Sequence, residues 1–221
     1  MARLPVLARL RVVVVAALIG IASPLPADAA GTALDRFLEG LTSLRTGFTQ
    51  TLTDSRGRRL ESVRGTLVVQ RPGRFRWEVR PVDSTASVPT QVMVADGRNV
   101  WFHDLELEQV TVRPAGNALT ATPAMLLSGA ADIDTAFIVT AGAAAEGLEW
   151  VRVRPRRADA EFREARLGFS GGELRRMELE DRLGQKASLK FEGGRRNAPV
   201  DPAELRFTPP PGVDLLGTPR N

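Results

Sequence analysis

The sequence predicts a mainly β domain whose antiparallel sheet curls toward a barrel. Apolar and polar residues alternate along many short segments, and glycine-rich turn signals separate most of them. The clearest alternation runs from Arg74 to Arg80, where Phe75, Trp77 and Val79 share one face and charged side chains occupy the other. Short strands that follow one another through tight turns favour an antiparallel sheet that curves toward closure.

The first 29 residues have the features of a cleavable export signal. Three arginines precede an apolar run from Val12 to Ala22, and Ala27-Asp28-Ala29 places small residues at positions −3 and −1 of a cleavage site. An anchoring transmembrane helix is the alternative, but it needs about 20 apolar residues, and Gly20 interrupts this shorter run. We therefore predict a signal peptide over residues 1–29 and one domain over residues 30–221.

Cysteine is absent from the sequence, which excludes disulfides, thiol nucleophiles and thiolate metal sites. It also excludes the lipid-modified cysteine that would tether a lipoprotein to a membrane. The formal net charge is +4, and it falls to +2 when the signal's three arginines and one aspartate are removed. We therefore expect the mature protein to be free in the compartment to which it is exported.

Arginines are dense from Arg152 to Arg176, but glutamates are interleaved with them. Nucleic-acid-binding strands usually add exposed aromatic side chains to such charges. We interpret the segment as the solvated face of a sheet and expect no nucleic-acid partner. Docking to an acidic partner or an anionic lipid surface is the alternative.

The predicted elements begin with an amphipathic helix over Thr32–Arg45, whose apolar face carries Leu34, Phe37, Leu38, Leu41 and Leu44. After it the period changes to two, first between Phe48 and Thr53. Further strands are predicted at Thr66–Gln70, Arg74–Arg80, Gln91–Ala95, Asn99–Asp104, Gln109–Arg113, Phe137–Ala141, Leu148–Arg154, Phe162–Phe169, Leu174–Asp181 and Ala187–Phe191.

Two segments interrupt the strand pattern. Thr122–Gly129 predicts a short helix, with a threonine N-cap, Pro123 at the first helical position and a terminating glycine. Its three large apolar side chains indicate that it packs against other apolar residues. The C-terminal segment predicts a helical turn over Asp201–Leu205, followed by extended chain.

The residue types do not indicate an enzyme, and they predict no bound cofactor or metal. His103 is the only histidine, and neither a G-x-S-x-G elbow nor a phosphate-binding loop accompanies it. We interpret His103 as an edge or rim residue, and Asp132 and Asp134 as capping and turn residues. One apolar sheet face combines Phe75 and Trp77 with Val92 and Val94, and with either Trp101 or the Val100/Phe102 pair. By residue type alone, this face is better explained by an ordinary packed core than by a cavity.

A set of ordered motifs resembles the LolA family of periplasmic outer-membrane lipoprotein carriers, over about Ala33 to Gly217. The matching segments are Phe48-Thr-Gln50 with Asp54, Gly65-Thr-Leu-Val-Val-Gln-Arg71-Pro-Gly-Arg-Phe75-Arg-Trp77, Val94-Ala-Asp-Gly97, Val100-Trp-Phe102, Leu107–Val112, Thr122-Pro123 with Leu126-Leu127, and Phe207-Thr-Pro-Pro-Pro-Gly-Val-Asp214.

The resemblance implies an incomplete, curved antiparallel barrel covered by a lid of short helices, with lipoprotein acyl chains held between them. It implies a monomeric periplasmic chaperone that receives lipoproteins from an inner-membrane ABC-type transporter and delivers them to an outer-membrane receptor. Arg71 would bond to lid carbonyls and hold the lid shut. The implied acyl-chain cavity is lined by Phe75, Trp77, Val94, Trp101, Phe102, Pro123, Leu126 and Leu127.

Three alternatives remain at this stage. The membrane-bound receptor of the same pathway shares the fold but requires a lipidated cysteine, which this chain lacks. A related carrier or sensor of another envelope lipid, such as a glycolipid, is favoured by the Pro81–Gln91 segment, which looks longer than the family's usual link and could alter partner docking. A hydrolase is disfavoured because no nucleophile constellation is present.

Overall fold

One open sheet dominates the computed structural model, which describes residues 31–115, 123–130, 132–158, 160 and 162–220. The predicted signal over residues 1–29 lies outside this range. Strands β1 to β12 are, in chain order, Ser43–Thr53, Arg59–Gln70, Arg74–Pro81, Gln91–Asp96, Asn99–Asp104, Gln109–Pro114, Phe137–Ala141, Glu149–Pro155, Phe162–Ser170, Glu173–Asp181, Lys186–Arg196 and Asp214–Leu216.

Neighbouring strands pair antiparallel, except that β12 pairs parallel with β6. Their order across the sheet is β12-β6-β5-β4-β3-β2-β1-β11-β10-β9-β8-β7. Because each face of a strand is set by a period of two, the pairing register defines an inner and an outer face of the whole sheet. One core cluster contains inner-face residues from β3 and from β9, such as Phe75 and Phe169. The sheet therefore curves around its inner face, as the sequence predicts.

Three short helices accompany the sheet: α1 (Ala33–Leu38), α2 (Pro123–Ser128) and α3 (Ile133–Ala136). The prediction of one helix over Thr32–Arg45 is wrong beyond Leu38. The chain leaves the helix at Glu39, which is extended, and turns at Gly40, where φ is +62°. Leu44 is still buried, but as an inner-face residue of β1, because its spacing from Phe48 satisfies both periods.

The other helix predictions are confirmed for the described residues. Helix α2 ends at Ser128, and Gly129 has the left-handed φ of +67° that glycine adopts at helix ends. Asp132 caps α3, since its Oδ1 accepts the backbone N–H groups of Asp134 and Thr135. Pro202–Leu205 forms a 3-10 turn, and Leu205 is buried.

The arginines of β8 to β10 form ion pairs on the outer face, as the interleaved glutamates predict. Glu164 of β9 lies between Arg152 and Arg154 of β8, at 3.3 and 3.0 Å. Arg166 and Glu178 pair across β9 and β10 at 3.1 Å. These side chains are a quarter to a half exposed, so the pairs keep the face solvated and contribute little to stability.

The C-terminal segment covers a different part of the outer face. Phe207 lies 5.5 Å from the ring of Trp101 and 5.8 Å from that of His103, measured between centroids. Asn99 is buried and exchanges two hydrogen bonds with the backbone of Arg220. The prediction of an edge or rim histidine is wrong: His103 is only 9 % exposed, on an interior strand, because the C-terminal segment lies over it.

A carboxylate organises the turn between β1 and β2. Asp54 accepts the backbone N–H groups of Arg56 and Arg58 at 2.9 Å each, and the Arg58 Nε–H at 2.8 Å. The backbone bond from Arg58, followed by its side-chain bond, lowers the pKa of Asp54 below its ordinary value.

We predict that Asp54 stays ionised to a lower pH than an unstructured aspartate. Its stabilising bonds are complete above its unfolded pKa and are lost as the pH falls through its lowered folded pKa. Carboxyl ¹³C titration by NMR should show this low midpoint, and Arg58→Ala should raise it, because only backbone donors remain. A midpoint at or above the ordinary value, or one that is insensitive to Arg58→Ala, contradicts the prediction.

Candidate functional site

A row of large apolar side chains crosses the inner face of β3, β4 and β5. Trp77 pairs with Met93, and Met93 pairs with Phe102, so the three lie side by side. All three are only partly buried, and the Trp77 ring lies 3.9 Å from that of Phe48. We call Trp77, Met93 and Phe102 the inner row. Large apolar groups that lie in a row and are only partly buried suit an elongated apolar ligand.

Phe75 lies on the same face but deeper, and it is fully buried. Helix α2 packs over this region against β2 and β3. Leu126 and Leu127 are buried in the same core cluster as Phe75, while Met125 stays partly exposed beside it. The structure thus brings five predicted residues to one side of the sheet: Phe75, Trp77, Phe102, Leu126 and Leu127. Pro123 begins α2, and its side chain lies outside the described part of the chain.

Val94 and Trp101 lie on the opposite face, which corrects the expectation that they line the same surface. Val94 pairs with Arg76 of β3 and with Trp101 of β5, all of which point outward. The two residues belong to a separate apolar cluster beneath the C-terminal segment, where Phe207 packs on them. Val100, Trp101 and Phe102 are consecutive apolar residues, so alternation within β5 cannot show which of them faces inward.

Arg71 lies between the ends of α1 and α2. Its Nη1 donates to the carbonyl of Leu38, the last residue of α1, at 3.3 Å. Beside α2, the Arg71 guanidinium packs so closely that a β-carbon on Gly129 would lie 2.6 Å from Nε. The backbone of Gly73 also donates to the Ser128 carbonyl at 2.8 Å. Arg71 therefore binds the end of α1 and lies against Gly129, directly after α2. We call α1 and α2 the lid.

Two residues that the sequence analysis missed hold the end of α1. Arg196, at the end of β11, donates to the carbonyls of Phe37 and Glu39 at 2.7 and 3.1 Å. Asn197 donates to the Gly40 carbonyl at 2.9 Å and accepts the Thr42 N–H at the same distance. The chain has 30 basic residues and 20 glycines, so an Arg-Asn pair after a Gly-Gly turn carries no distinguishing signal in the sequence.

A cleft lies between α1 and the strands β10 and β11. Phe37, Leu44, Leu174 and Phe191 form its apolar walls, and Arg196 lies at its rim. The cleft encloses a cavity of only about 20 Å³. A pocket for one drug-sized ligand measures about 300–1,000 Å³, so acyl chains fit only if the lid moves away from the sheet.

Within the described ranges, no three histidine or carboxylate side chains lie close enough together to hold a metal ion. None of the helices described in the structure is long and apolar enough to cross a membrane. The described site is therefore an apolar surface under two short, polar-bonded helices, an arrangement typical of proteins that bind apolar ligands reversibly.

The chain belongs to the family described as outer membrane lipoprotein carrier protein LolA, whose family model matches residues 39–208. It is 42 % identical to an outer-membrane lipoprotein carrier protein of Dechloromonas aromatica over 83 % of this chain and 86 % of the relative. It is 36 % identical to the corresponding protein of Methylobacillus flagellatus, over 83 % and 87 %.

Among solved structures, a LolA superfamily protein of Nitrosomonas europaea aligns with a TM-score of 0.46 at 11 % identity. That alignment covers 79 % of this chain and 96 % of the other.

Proposed function

We propose that this protein is a periplasmic chaperone for lipoproteins. It accepts lipoproteins released from the inner membrane, shields their acyl chains between the inner face and the lid, and delivers them to an outer-membrane receptor. The observation that carries the proposal is the partly buried inner row on the sheet face that the lid helices cover, with the lid held by a few polar contacts. Membership of the lipoprotein carrier family supports it.

The energetics of transport support this role. Moving an apolar chain into water costs about 0.8 kcal/mol per methylene, so three membrane-length acyl chains cost on the order of 30 kcal/mol. A carrier must offset most of this cost and still release its cargo. Because each hydrogen bond to the lid contributes only about 1 kcal/mol net, a lid held by a few such bonds keeps opening reversible.

The partners follow from the same proposal. An inner-membrane ABC-type transporter loads the protein, and an outer-membrane receptor unloads it. The carrier itself acts as a monomer, needs no cofactor and catalyses no reaction. The β3–β4 link lies at the rim of the sheet, where Val82 and Val88 are 43 % and 60 % exposed, so it is positioned to influence docking to either partner.

The proposal is tested by competition between two apolar ligands. The purified protein should bind a hydrophobic fluorescent probe saturably, and a triacylated lipopeptide should displace it. The same peptide without acyl chains is the control and should displace none. Displacement by glycolipids alone would instead favour a related carrier of another envelope lipid, and the absence of saturable binding would exclude both.

A charge in the inner row should weaken this binding. Phe102→Asp places a carboxylate beside Met93, and an acyl chain there would have to desolvate it. We expect lipopeptide affinity to fall at least about 10-fold, since burying an unpaired polar group costs on the order of 2 kcal/mol or more. Displacement titration measures the change. The control is Thr49→Asp, which adds the same charge at an exposed outer-face position, and an equal loss in both variants contradicts an inner-face site.

A further inference from the structure

We propose that Arg196 is the principal latch of α1 and that the lid opens along the seam between α1 and strands β10 and β11. This inference rests on the proposed function for its biological meaning. Its structural content, the closed position of α1, stands on contacts that can be tested without any ligand.

The two arginines that reach α1 do so from strands on either side of β1. Arg71 follows β2 and Arg196 ends β11, and both strands pair with β1. The guanidinium of Arg196 donates to the carbonyl of Phe37 in α1 at 2.7 Å and to that of Glu39, the residue after α1, at 3.1 Å, whereas Arg71 makes one bond, to Leu38 at 3.3 Å. By number and by length, the contacts of Arg196 are the stronger set.

The backbone carbonyls that accept from the two arginines also differ in their other hydrogen-bond partners. The Leu38 carbonyl that accepts from Arg71 also accepts the Leu41 N–H at 3.1 Å, so it keeps a partner when Arg71 is lost. The Phe37 and Glu39 carbonyls take their bonds from Arg196. Carbonyls at the end of a helix have no intrahelical partner and favour a nearby cation. When Arg196 is lost, the Phe37 and Glu39 carbonyls therefore have only water as a hydrogen-bond donor. When Arg71 is lost, the Leu38 carbonyl keeps its bond from the Leu41 N–H.

The guanidinium of Arg196 also packs over an aromatic ring of the lid. Its Cζ lies 5.0 Å from the centroid of the Phe37 ring, and that ring packs 5.4 Å from Phe169 of β9. Phe37 is 2 % exposed and forms one wall of the cleft beside β10 and β11. Lifting α1 at this seam would expose the Phe37 ring, so the hydrogen bonds of Arg196 and the packing of Phe37 are lost together.

A second contact of α1 joins two charged side chains and leaves the carbonyls at the end of the helix without a donor, whereas Arg196, also an exposed residue, binds those carbonyls. Arg36 pairs with Glu149 at the start of β8, but the two side chains are 50 % and 60 % exposed. Such pairs are strongly screened by water and contribute little. Arg196 thus remains the side chain whose removal most favours the open lid.

The test uses the absence of native cysteines. Glu39→Cys, at the end of α1, and Lys190→Cys, on the exposed outer face of β11, accept a pair of nitroxide labels on the complete mature chain. Pulsed EPR then measures the distance between α1 and the sheet without ligand. In this background, Arg196→Leu should add a population at longer distance, with an open fraction raised at least about 10-fold.

Three further variants assign the effect to the latch. Arg195→Leu is the matched control, because it removes the adjacent exposed arginine, which forms no ion pair or side-chain hydrogen bond with the described residues. Arg196→Lys should restore the closed distance only in part, since an ammonium can donate to the same carbonyls but cannot stack on the Phe37 ring as the planar guanidinium does. Arg71→Leu should add less of the longer distance than Arg196→Leu does.

Distances in Arg196→Leu that match the parent, or a larger effect from Arg71→Leu, would overturn the inference. If Arg196→Leu does not fold, the distances in Arg196→Lys are compared with those in Arg195→Leu instead. Equal distances in those two variants would also overturn the inference. Failure of the parent protein to bind a triacylated lipopeptide would refute the proposed function and leave the distance result intact.

Discussion

Replacing Gly65 with alanine is expected to destabilise the protein by about 3 kcal/mol or more, because overpacking against backbone cannot be relieved by side-chain rotation. Gly65 lies on the inner face of β2, paired with Phe48 of β1 and Val79 of β3. A β-carbon there would overlap the backbone carbonyl of Glu78 and lie 2.7 Å from Phe48 Cζ. The Phe48 ring cannot retreat freely, since it already stacks on Trp77.

Thermal unfolding measures this effect, with an expected fall in melting temperature of about 6–12 °C for a domain of this size. Gly47→Ala is the matched control on the adjacent strand. A β-carbon at Gly47 would lie 3.6 Å from the Glu192 carbonyl oxygen and 3.9 Å from that of Gly65, which are ordinary contacts. Equal stabilities for the two variants would contradict the close approach of β2 and β3 at Gly65.

Arg71→Leu is expected to tighten lipopeptide binding and slow its release, while the fold is retained. The bond from Arg71 to the Leu38 carbonyl belongs to the closed lid, and acyl chains require the lid to move. A bond that exists only in the closed state opposes binding, so its loss favours the bound state by population shift. One hydrogen bond from a charged group contributes about 1.5–3 kcal/mol in good geometry, and this long bond should contribute less, so we expect roughly a 5-fold change.

Stopped-flow dilution of a loaded fluorescent lipopeptide measures the release rate. Arg74→Leu is the control, because Arg74 lies in the same β2–β3 turn region and is exposed. Release from Arg71→Leu at the parent rate, or faster, would contradict a latch that opposes binding. Transfer of lipoproteins to an acceptor should be impaired in proportion to the slower release.

Much of the sheet could be predicted from alternation and turn glycines, because both are local properties. The predicted segment Arg74–Arg80 matches β3 within one residue, and Gly97 and Gly171 turn between strands with positive φ. Local patterns also gave α2, whose boundaries depend on Pro123 and Gly129. The same information failed for the end of α1, since the spacing of Leu44 from Phe48 fits either period, and tertiary contacts decided between helix and strand.

The site was less predictable, because it depends on register across strands. A register change of one residue exchanges the two faces of a strand. The nine-residue link between β3 and β4 does not fix how Val94 lines up with Trp77, and Trp101 lies between two other apolar residues. Arg196 could not be identified from the sequence, because the carbonyls that it binds belong to residues 157 and 159 positions earlier in the chain.

Depletion of the protein in its host tests the central claim, transport of lipoproteins between membranes, most directly. Membranes are separated after depletion, and the distribution of acylated outer-membrane lipoproteins is compared with that in cells rescued by the intact gene. We expect these lipoproteins to accumulate in the inner membrane and rescue to restore their sorting. Normal sorting after complete depletion would contradict it.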